Sequence, residues 1–175
     1  LDGGFDRIVS VEMFEHVRNY AALFSRLARW LAPGGKLFVH VFCHRELAYP
    51  FEDGGPADWM ARHFFTGGIM PSADLPRCWD EHLEVAAQWP VGGLHYSRTL
   101  EAWLARMDAE RDRLLPLFAA TYGGEAERWF ARWRMFFMAC SELFRFAGGE
   151  EWFVTHTLLA PRTARSAKGL RPART

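Results

Sequence analysis

A chain of 175 residues, half of them hydrophobic and 24% charged, has the size and make-up of one folded domain and is neither disordered nor fibrous. Its 21 basic and 21 acidic residues cancel, but Arg162, Arg165, Lys168, Arg171 and Arg174 crowd the stretch 161–175 with no acid among them. The body is therefore acidic, which argues against nucleic acid as a partner, and no run of about twenty apolar residues is present to make a transmembrane segment. The stretch 161–175 reads as a basic disordered tail, for which peripheral contact with anionic lipid headgroups is the partner chemistry to consider. Cys43, Cys78 and Cys140 lie unevenly in or beside apolar runs, as buried thiols of a reducing, cytoplasmic compartment do. The aromatic share of 15%, with 8 Trp and 15 Phe, exceeds what a minimal core needs and leaves rings to line a cavity. The chain starts at Leu1 and not at Met, so a fragment with an upstream part is expected.

Residues 5–11, a β-branched run after Asp2-Gly3-Gly4, predict a buried strand. Phe14, Val17, Ala21, Phe24, Leu27, Ala28 and Leu31 then recur at three and four residues and predict a helix, which Pro33-Gly34-Gly35 should stop. Residues 36–42 predict a second buried strand. Strand, helix and strand within about forty residues make a βαβ unit with parallel strands, whose carboxyl edge is where ligands of open α/β sheets sit. Residues 48–82 form an insertion, irregular through Arg77, in which Trp59, Phe64 and Phe65 cluster. It reads either as a lid over that edge or as a plain surface excursion. Leu83 to Trp89 predict a strand, Ser97 onward a helix to about Arg113 with Thr99 as its cap, residues 125–146 a helix with an aromatic stripe, and residues 151–159 a closing strand.

Glu12-Met13-Phe14-Glu15-His16, at the end of the first strand, is the strongest chemical constellation, since carboxylates beside an imidazole at a cleft bind a cation or move a proton. Glu12 and Glu15 would share a face if helical; they would equally suit the dipole of a first helical turn. His40 sits in an apolar strand and needs polar partners there. His40, Cys43 and His44 have no second ligand cluster, so no metal is assigned. Tyr96 falls in a loop before a helix, where a phenol can reach an active-site anion. No glycine-rich phosphate loop follows a strand and no G-x-S-x-G elbow occurs, so a hydrolase has no support.

Phe5-Asp6-Arg7-Ile8-Val9-Ser10, then Phe14-Glu15-His16-Val17, then Leu31-Ala32-Pro33-Gly34-Gly35-Lys36-Leu37 resemble the later motifs of class I S-adenosylmethionine-dependent methyltransferases. Within them the chain is similar to the branch of cyclopropane-fatty-acyl-phospholipid synthases and plant coclaurine N-methyltransferases, through Phe38-Val39-His40-Val41-Phe42-Cys43-His44, Phe64-Phe65-Thr66-Gly67-Gly68-Ile69-Met70-Pro71-Ser72, His95-Tyr96-Ser97-Arg98-Thr99 and Gly149-Glu150-Glu151-Trp152.

The resemblance implies an α/β fold, the C-terminal part of a Rossmann-like doubly wound sheet, with residues 1–160 a partial methyltransferase domain and 48–82 its lid. It implies S-adenosylmethionine as cofactor, lined by Val11 with Ser10 beside it. In the N-methyltransferases it gives Glu15 and His16, with Glu12 nearby, the roles beside a small hydrophobic amine, which Trp59, Phe64 and Phe65 would hold. In the cyclopropane synthases it gives Glu15, His40 and Tyr96 the binding of a bicarbonate, with an unsaturated acyl lipid as acceptor; Phe42 stands where that branch usually has Ile. The family's Glu-x-Gly-x-Gly-x-Gly cofactor loop is expected upstream of Leu1, so this chain alone is expected to be inactive, its first strand an unpaired edge. A non-catalytic truncated fragment is the reading from another class.

Overall fold

The computed structural model describes residues 3–56, 58–79 and 81–162; from residue 163 on, the expected tail lies outside the described residues. Strand β1 (Phe5–Val11), helix α1 (Tyr20–Trp30) and strand β2 (Leu31–His44) follow in order. The strands pair in parallel, Ile8 opposite Leu37 and Val11 opposite His40, so the predicted βαβ unit forms and both strands deliver their ends to one edge. Tyr20, Phe24 and Leu27 recur on one face of α1 and pack on Leu37, Val39 and Val41, with Phe14 beside them.

Within this βαβ unit two boundaries differ from the pattern in the sequence. The helix predicted from Phe14 starts only at Tyr20: Phe14–His16 form a 3₁₀ turn, Val17 is extended, and the Asn19 side chain accepts the Ala22 N–H at 3.0 Å. Asn19 is a strong N-cap, and its placement outweighs the apolar spacing that runs through it. Pro33-Gly34-Gly35 lie inside β2 and not at a helix end, in a bulge where the register jumps from Phe5–Leu31 to Arg7–Lys36. Gly34 has φ +77°, and a Cβ on Gly35 would lie 2.9 Å from the carbonyl oxygens of Ala32 and Phe5, so the bulge needs glycine.

The insertion contains a short antiparallel pair, β3 (Tyr49–Pro50) with β4 (Ile69–Met70), the single-turn helix α2 (Trp59–His63) between them, and a 3₁₀ turn Leu75–Trp79. Strand β5 (Leu83–Val91), helices α3 (Gly93–Ala109), α4 (Arg111–Tyr122) and α5 (Ala126–Arg145), and strand β6 (Trp152–Pro161) complete the chain. The closing strand is not at an edge: the order is β1-β2-β6-β5, with β6 antiparallel to both neighbours. Leu37, Val39, Val41 and Leu159 face α1, while Phe42 and Val154 belong to a second cluster with Leu100, Cys140 and Phe144 under α3 and α5. β1 is a sheet edge, with Val9 and Val11 exposed. Cys43 and Cys140 are buried as expected, but Cys78 is exposed. Among the described residues no helix is long and apolar enough to cross a membrane.

Helix α3 begins four residues before the predicted start, so Tyr96 is helical and Thr99 is no cap; its hydroxyl donates to the His95 carbonyl one turn back. Gly93 makes this possible, because the first turn presses against the chain where a Cβ would meet the carbonyl oxygens of Phe144 and Trp152 at 2.2 Å. Helix α4 has no counterpart in the sequence prediction, and it carries Pro116, a residue that ordinarily interrupts a helix interior. Gly93→Ala is expected to destabilise the protein by about 1–3 kcal/mol or more through overpacking, whereas Thr99→Ala should cost less than about 0.5 kcal/mol. Thermal melts of the two variants, followed by circular dichroism, check the order.

Candidate active site

At the end of β1 the backbone of Glu12 turns left-handed, φ +48°, while its N–H still bonds the His40 carbonyl at 3.0 Å. This swings the carboxylate toward residues from two other elements. The Tyr96 hydroxyl, from the first turn of α3, donates to Glu12 Oε2 at 3.2 Å, and His40 Nε2, from β2, stands 3.2 Å from Oε1. His40 Nδ1 in turn meets His156 Nε2, from β6, at 3.0 Å. The His40 approach is close but not aligned as a hydrogen bond, so Glu12 Oε1 is buried without an aligned donor.

Glu15 lies in the 3₁₀ turn just beyond, its side chain 3% exposed, with Oε1 at 3.5 Å from His16 Nε2. Its Oε2 is buried and has no hydrogen-bond partner. His16 itself is more than half exposed on the outer side of the turn. Burial first, and then the negative charge of Glu15, push the Glu12 carboxyl up to about 7, against the lowering effect of the Tyr96 hydroxyl and the Phe42 backbone. Burial likewise raises Glu15, opposed by its own backbone N–H and by His16. Burial and, next, the neighbouring His156 lower His40, which keeps the ring neutral and able to accept as well as donate. Burial and the Glu12 charge raise the Tyr96 phenol, so it acts as a donor and not as a base. A carboxyl that titrates near 7 is matched to proton transfer at neutral pH.

Beside the acids is an apolar cavity of about 320 Å³, walled by Phe42 of β2, Met60 and Phe65 of the insertion, Tyr96 and Trp103 of α3, and Phe136 of α5. A second hollow of similar size holds Glu12, His40 and His95. Tyr96 and Trp103 line both, so the Tyr96 ring faces the apolar space while its hydroxyl addresses the acid. Of the three insertion aromatics predicted to bind substrate, Phe65 lies on the cavity; Phe64 stacks on Phe136 at 4.3 Å and Trp59 packs on Phe64. Those two rings are spent on docking the insertion to α5.

The structure thus joins Glu12, His40 and Tyr96, sets Glu15 immediately behind them and leaves His16 outside. Glu12, not Glu15, is the acid on which His40 and Tyr96 converge, because the left-handed turn defeats the helical spacing that would have put Glu12 and Glu15 on one face. Val11 is exposed at the carboxyl edge, whereas Ser10 is turned into the molecule, its hydroxyl buried without a partner. His156 and Trp103 were not found from the sequence. Trp103 lies two helical turns from Tyr96 and would have stood out had the helix been started at Gly93; nothing in the spacing signals His156. Among the described residues no group of three His, Cys, Asp or Glu side chains could hold a metal.

A sequence profile of the mycolic acid cyclopropane synthetase family matches residues 1–150. The chain is 37% identical over 159 residues to the (S)-coclaurine N-methyltransferase of Thalictrum flavum subsp. glaucum, covering 88% of this chain and 44% of the relative. It is 31% identical over 157 residues to the cyclopropane-fatty-acyl-phospholipid synthase of Escherichia coli K12, covering 88% and 38%. Among solved structures, a coclaurine N-methyltransferase bound to N-methylheliamine and SAH superposes with a TM-score of 0.83 at 34% identity, covering 91% of this chain and 49% of that one. A cyclopropane synthase of Mycobacterium tuberculosis shares the fold, with a TM-score of 0.72 at 21% identity over 93% of this chain and 57% of that one. The chain therefore spans less than half the length of the curated relatives it matches.

Because the folded Glu12 carboxyl titrates near 7 and the ordinary value is 4.5, the fold holds this proton more tightly than the unfolded chain does. Its contribution to stability is full below pH 4.5 and is lost as pH rises through about 7. Glu12→Gln is expected to flatten that loss in thermal melts taken across the interval. Carbon NMR of labelled glutamate should show a carboxyl titrating near 7 that the substitution removes and that Tyr96→Phe moves higher.

Proposed function

The chain belongs to the mycolic acid cyclopropane synthetase family, and from this premise we propose that the protein carrying it is an S-adenosylmethionine-dependent methyltransferase that methylates the nitrogen of a hydrophobic amine. The observation that supports the acceptor is Glu12: a half-buried carboxylate whose Oε1 is itself buried and lacks an aligned donor, at the side of an aromatic cavity. Such a group is satisfied by a cation or a proton, and an ammonium ion brings both.

A protonated amine has no lone pair to offer. Glu12 would attract the ammonium and accept its proton, and a carboxyl with its affinity set near 7 can do so at neutral pH. Glu15 would act from behind, its negative charge making Glu12 more basic. Tyr96 would hold the receiving carboxylate in place through Oε2, leaving the other oxygen for the substrate. Phe65, Phe136 and Trp103 would hold the apolar body of the amine, with cation–π attraction adding to the pull of the acids. S-adenosylmethionine, when bound, supplies an electrophilic methyl group. Val11, apolar and exposed beside Glu12 at the carboxyl edge, suits a place against that cofactor, while the side chain of Ser10 points away from such a place. The insertion 48–82 would serve as the cover that keeps water from the acceptor. Free cysteines, two of them buried, fit a cytoplasmic protein.

The second reading, methylene transfer to an unsaturated acyl lipid, is supported by the cyclopropane synthase relatives. It would employ His40 and Tyr96 to hold a bicarbonate. Here both already address the carboxylate of Glu12, so a free anion would have to displace it or await its protonation. This weighs for the amine. Full-length protein incubated with methyl-labelled cofactor against apolar amines, and against unsaturated phospholipid vesicles with and without bicarbonate, separates the two. Label in the amine is the expected result; bicarbonate-dependent label in the lipid would replace it with the second reading. Glu12→Gln should lower kcat on the amine by about 10²–10⁴-fold without weakening cofactor binding, and an unchanged kcat would remove Glu12 from the chemistry.

A further inference from the structure

We infer that His156 is a positioning residue for the acid centre: it fixes the tautomer and the ring orientation of His40, and through His40 it governs how readily Glu12 takes up a proton. The inference rests on Glu12 being the proton acceptor of the proposed reaction.

His40 and His156 are direct register partners on the antiparallel strands β2 and β6, 116 residues apart in sequence. Their rings lie 5.0 Å apart at 38°, and Nδ1 of the first meets Nε2 of the second at 3.0 Å. With one hydrogen shared between these two nitrogens, one must donate while the other accepts, which couples the tautomers of the two rings. When Glu12 is ionised, its Oε1 needs a donor. His40 Nε2, 3.2 Å away, can provide one by carrying its hydrogen there and turning its ring into line while no substrate occupies that oxygen; its Nδ1 must then accept, and His156 Nε2 must donate. When Glu12 is protonated the pattern reverses: Glu12 donates to His40 Nε2, His40 Nδ1 donates to His156 Nε2, and no polar atom of the row is left unpaired. A single neutral histidine could not be held in both arrangements without a partner that both accepts and donates.

The pair has little else to answer to. The titratable groups that share a hollow with His40 are Glu12 from the end of β1 and His95 and Tyr96 from α3, and Tyr96 is engaged with Glu12. Glu15, behind Glu12, contributes only through its charge on Glu12. On the β5 side the register neighbour of His156 is Trp89, which carries no charge. Phe38 lies against the His156 ring at 5.3 Å and holds it from the side. A pair that merely filled a half-buried sheet face would be served as well by apolar residues. What an imidazole adds here is the capacity to donate or accept toward His40.

The test uses full-length protein and two readouts. In carbon NMR of labelled glutamate, His156→Leu should raise the Glu12 midpoint by about one pH unit, because an unpositioned His40 no longer supports the carboxylate, and should depress kcat/KM on the amine about tenfold near neutral pH. His156→Gln, whose amide can donate or accept in the place of Nε2, should restore both; a purely structural role would not discriminate between the two substitutions in this way. An unmoved Glu12 midpoint in His156→Leu, or a Gln variant that behaves like the Leu variant, overturns the inference. If His156→Leu does not fold, long-range proton–nitrogen spectra of the unsubstituted chain and of Glu12→Gln replace it. The His156 ring nitrogens should shift when the carboxylate is removed, and unchanged nitrogens overturn the inference. A moved midpoint in a protein that methylates no amine would uphold the role of His156 and sink the proposed function instead.

Discussion

The centre depends on one peptide, the one that joins β1 to Glu12. Its N–H continues the parallel ladder by bonding the His40 carbonyl, yet the residue it belongs to has left the extended region for φ +48°. Had the strand simply gone on, the side chain of residue 12 would have alternated to the face of Ser10, toward α1 and away from His40. The left-handed turn keeps the carboxylate on the face that carries His40 and His156, at a cost of roughly 1–2 kcal/mol for a residue that is not glycine. Strain of this kind persists where the surroundings over-determine it. Here the ladder bond on one side and the Tyr96 hydroxyl on the other do so.

That turn is also where the insertion is fastened. Arg18 donates to the Gly67 carbonyl at 2.9 Å, and Gly68 comes so near that a Cβ there would be 2.9 Å from the Glu15 carbonyl oxygen. On its other flank the insertion is held by ring packing, Phe64 on Phe136 and His63 on Trp129. The two attachments differ in kind: hydrogen bonds and close backbone approach fix it beside the acids, while aromatic faces can slide over α5. Motion that widens the cavity is therefore expected on the α5 side, leaving the geometry of Glu12 and Glu15 undisturbed. This also explains why Trp59 and Phe64, so visible in the sequence, do not themselves line the cavity.

The sheet was legible because strands buried in an α/β sheet announce themselves as dense β-branched and aromatic runs, and residues 5–11, 36–42, 83–89 and 151–159 all do. Helix limits were legible only where nothing local competed with the apolar period. Asn19 capped α1 six residues late, Gly93 admitted α3 early, and α4 forms around Pro116. At the site, residue types were readable and their grouping only in part. The resemblance pairs His40 and Tyr96 with Glu15, and that in the fold they meet Glu12 turns on a single dihedral angle that no propensity for glutamate predicts. His156 depends on strand register between segments 116 residues apart, which spacing along one chain does not encode.

A carboxylate fixed between a phenol and an imidazole does work that a bound anion could do, and the difference bears on the acceptor. A diffusible anion must be captured, with loss of its translational freedom, whenever the site is to act; a side chain has met that cost in folding and is present at high effective concentration. The corresponding penalty is permanent: Glu15 is held away from water and Glu12 partly so, the two near each other, and burial opposes the charge of both. An alkene, which carries no charge, would do nothing to relieve that penalty on binding. An ammonium ion relieves it twice, first by its positive charge and then by the proton it leaves on the carboxylate. The more costly the empty acid pair is to the fold, the more strongly it favours a cationic guest over a neutral one of the same shape, so the proposed preference for an amine over a lipid would originate in the same charge that the left-handed turn at Glu12 keeps in place.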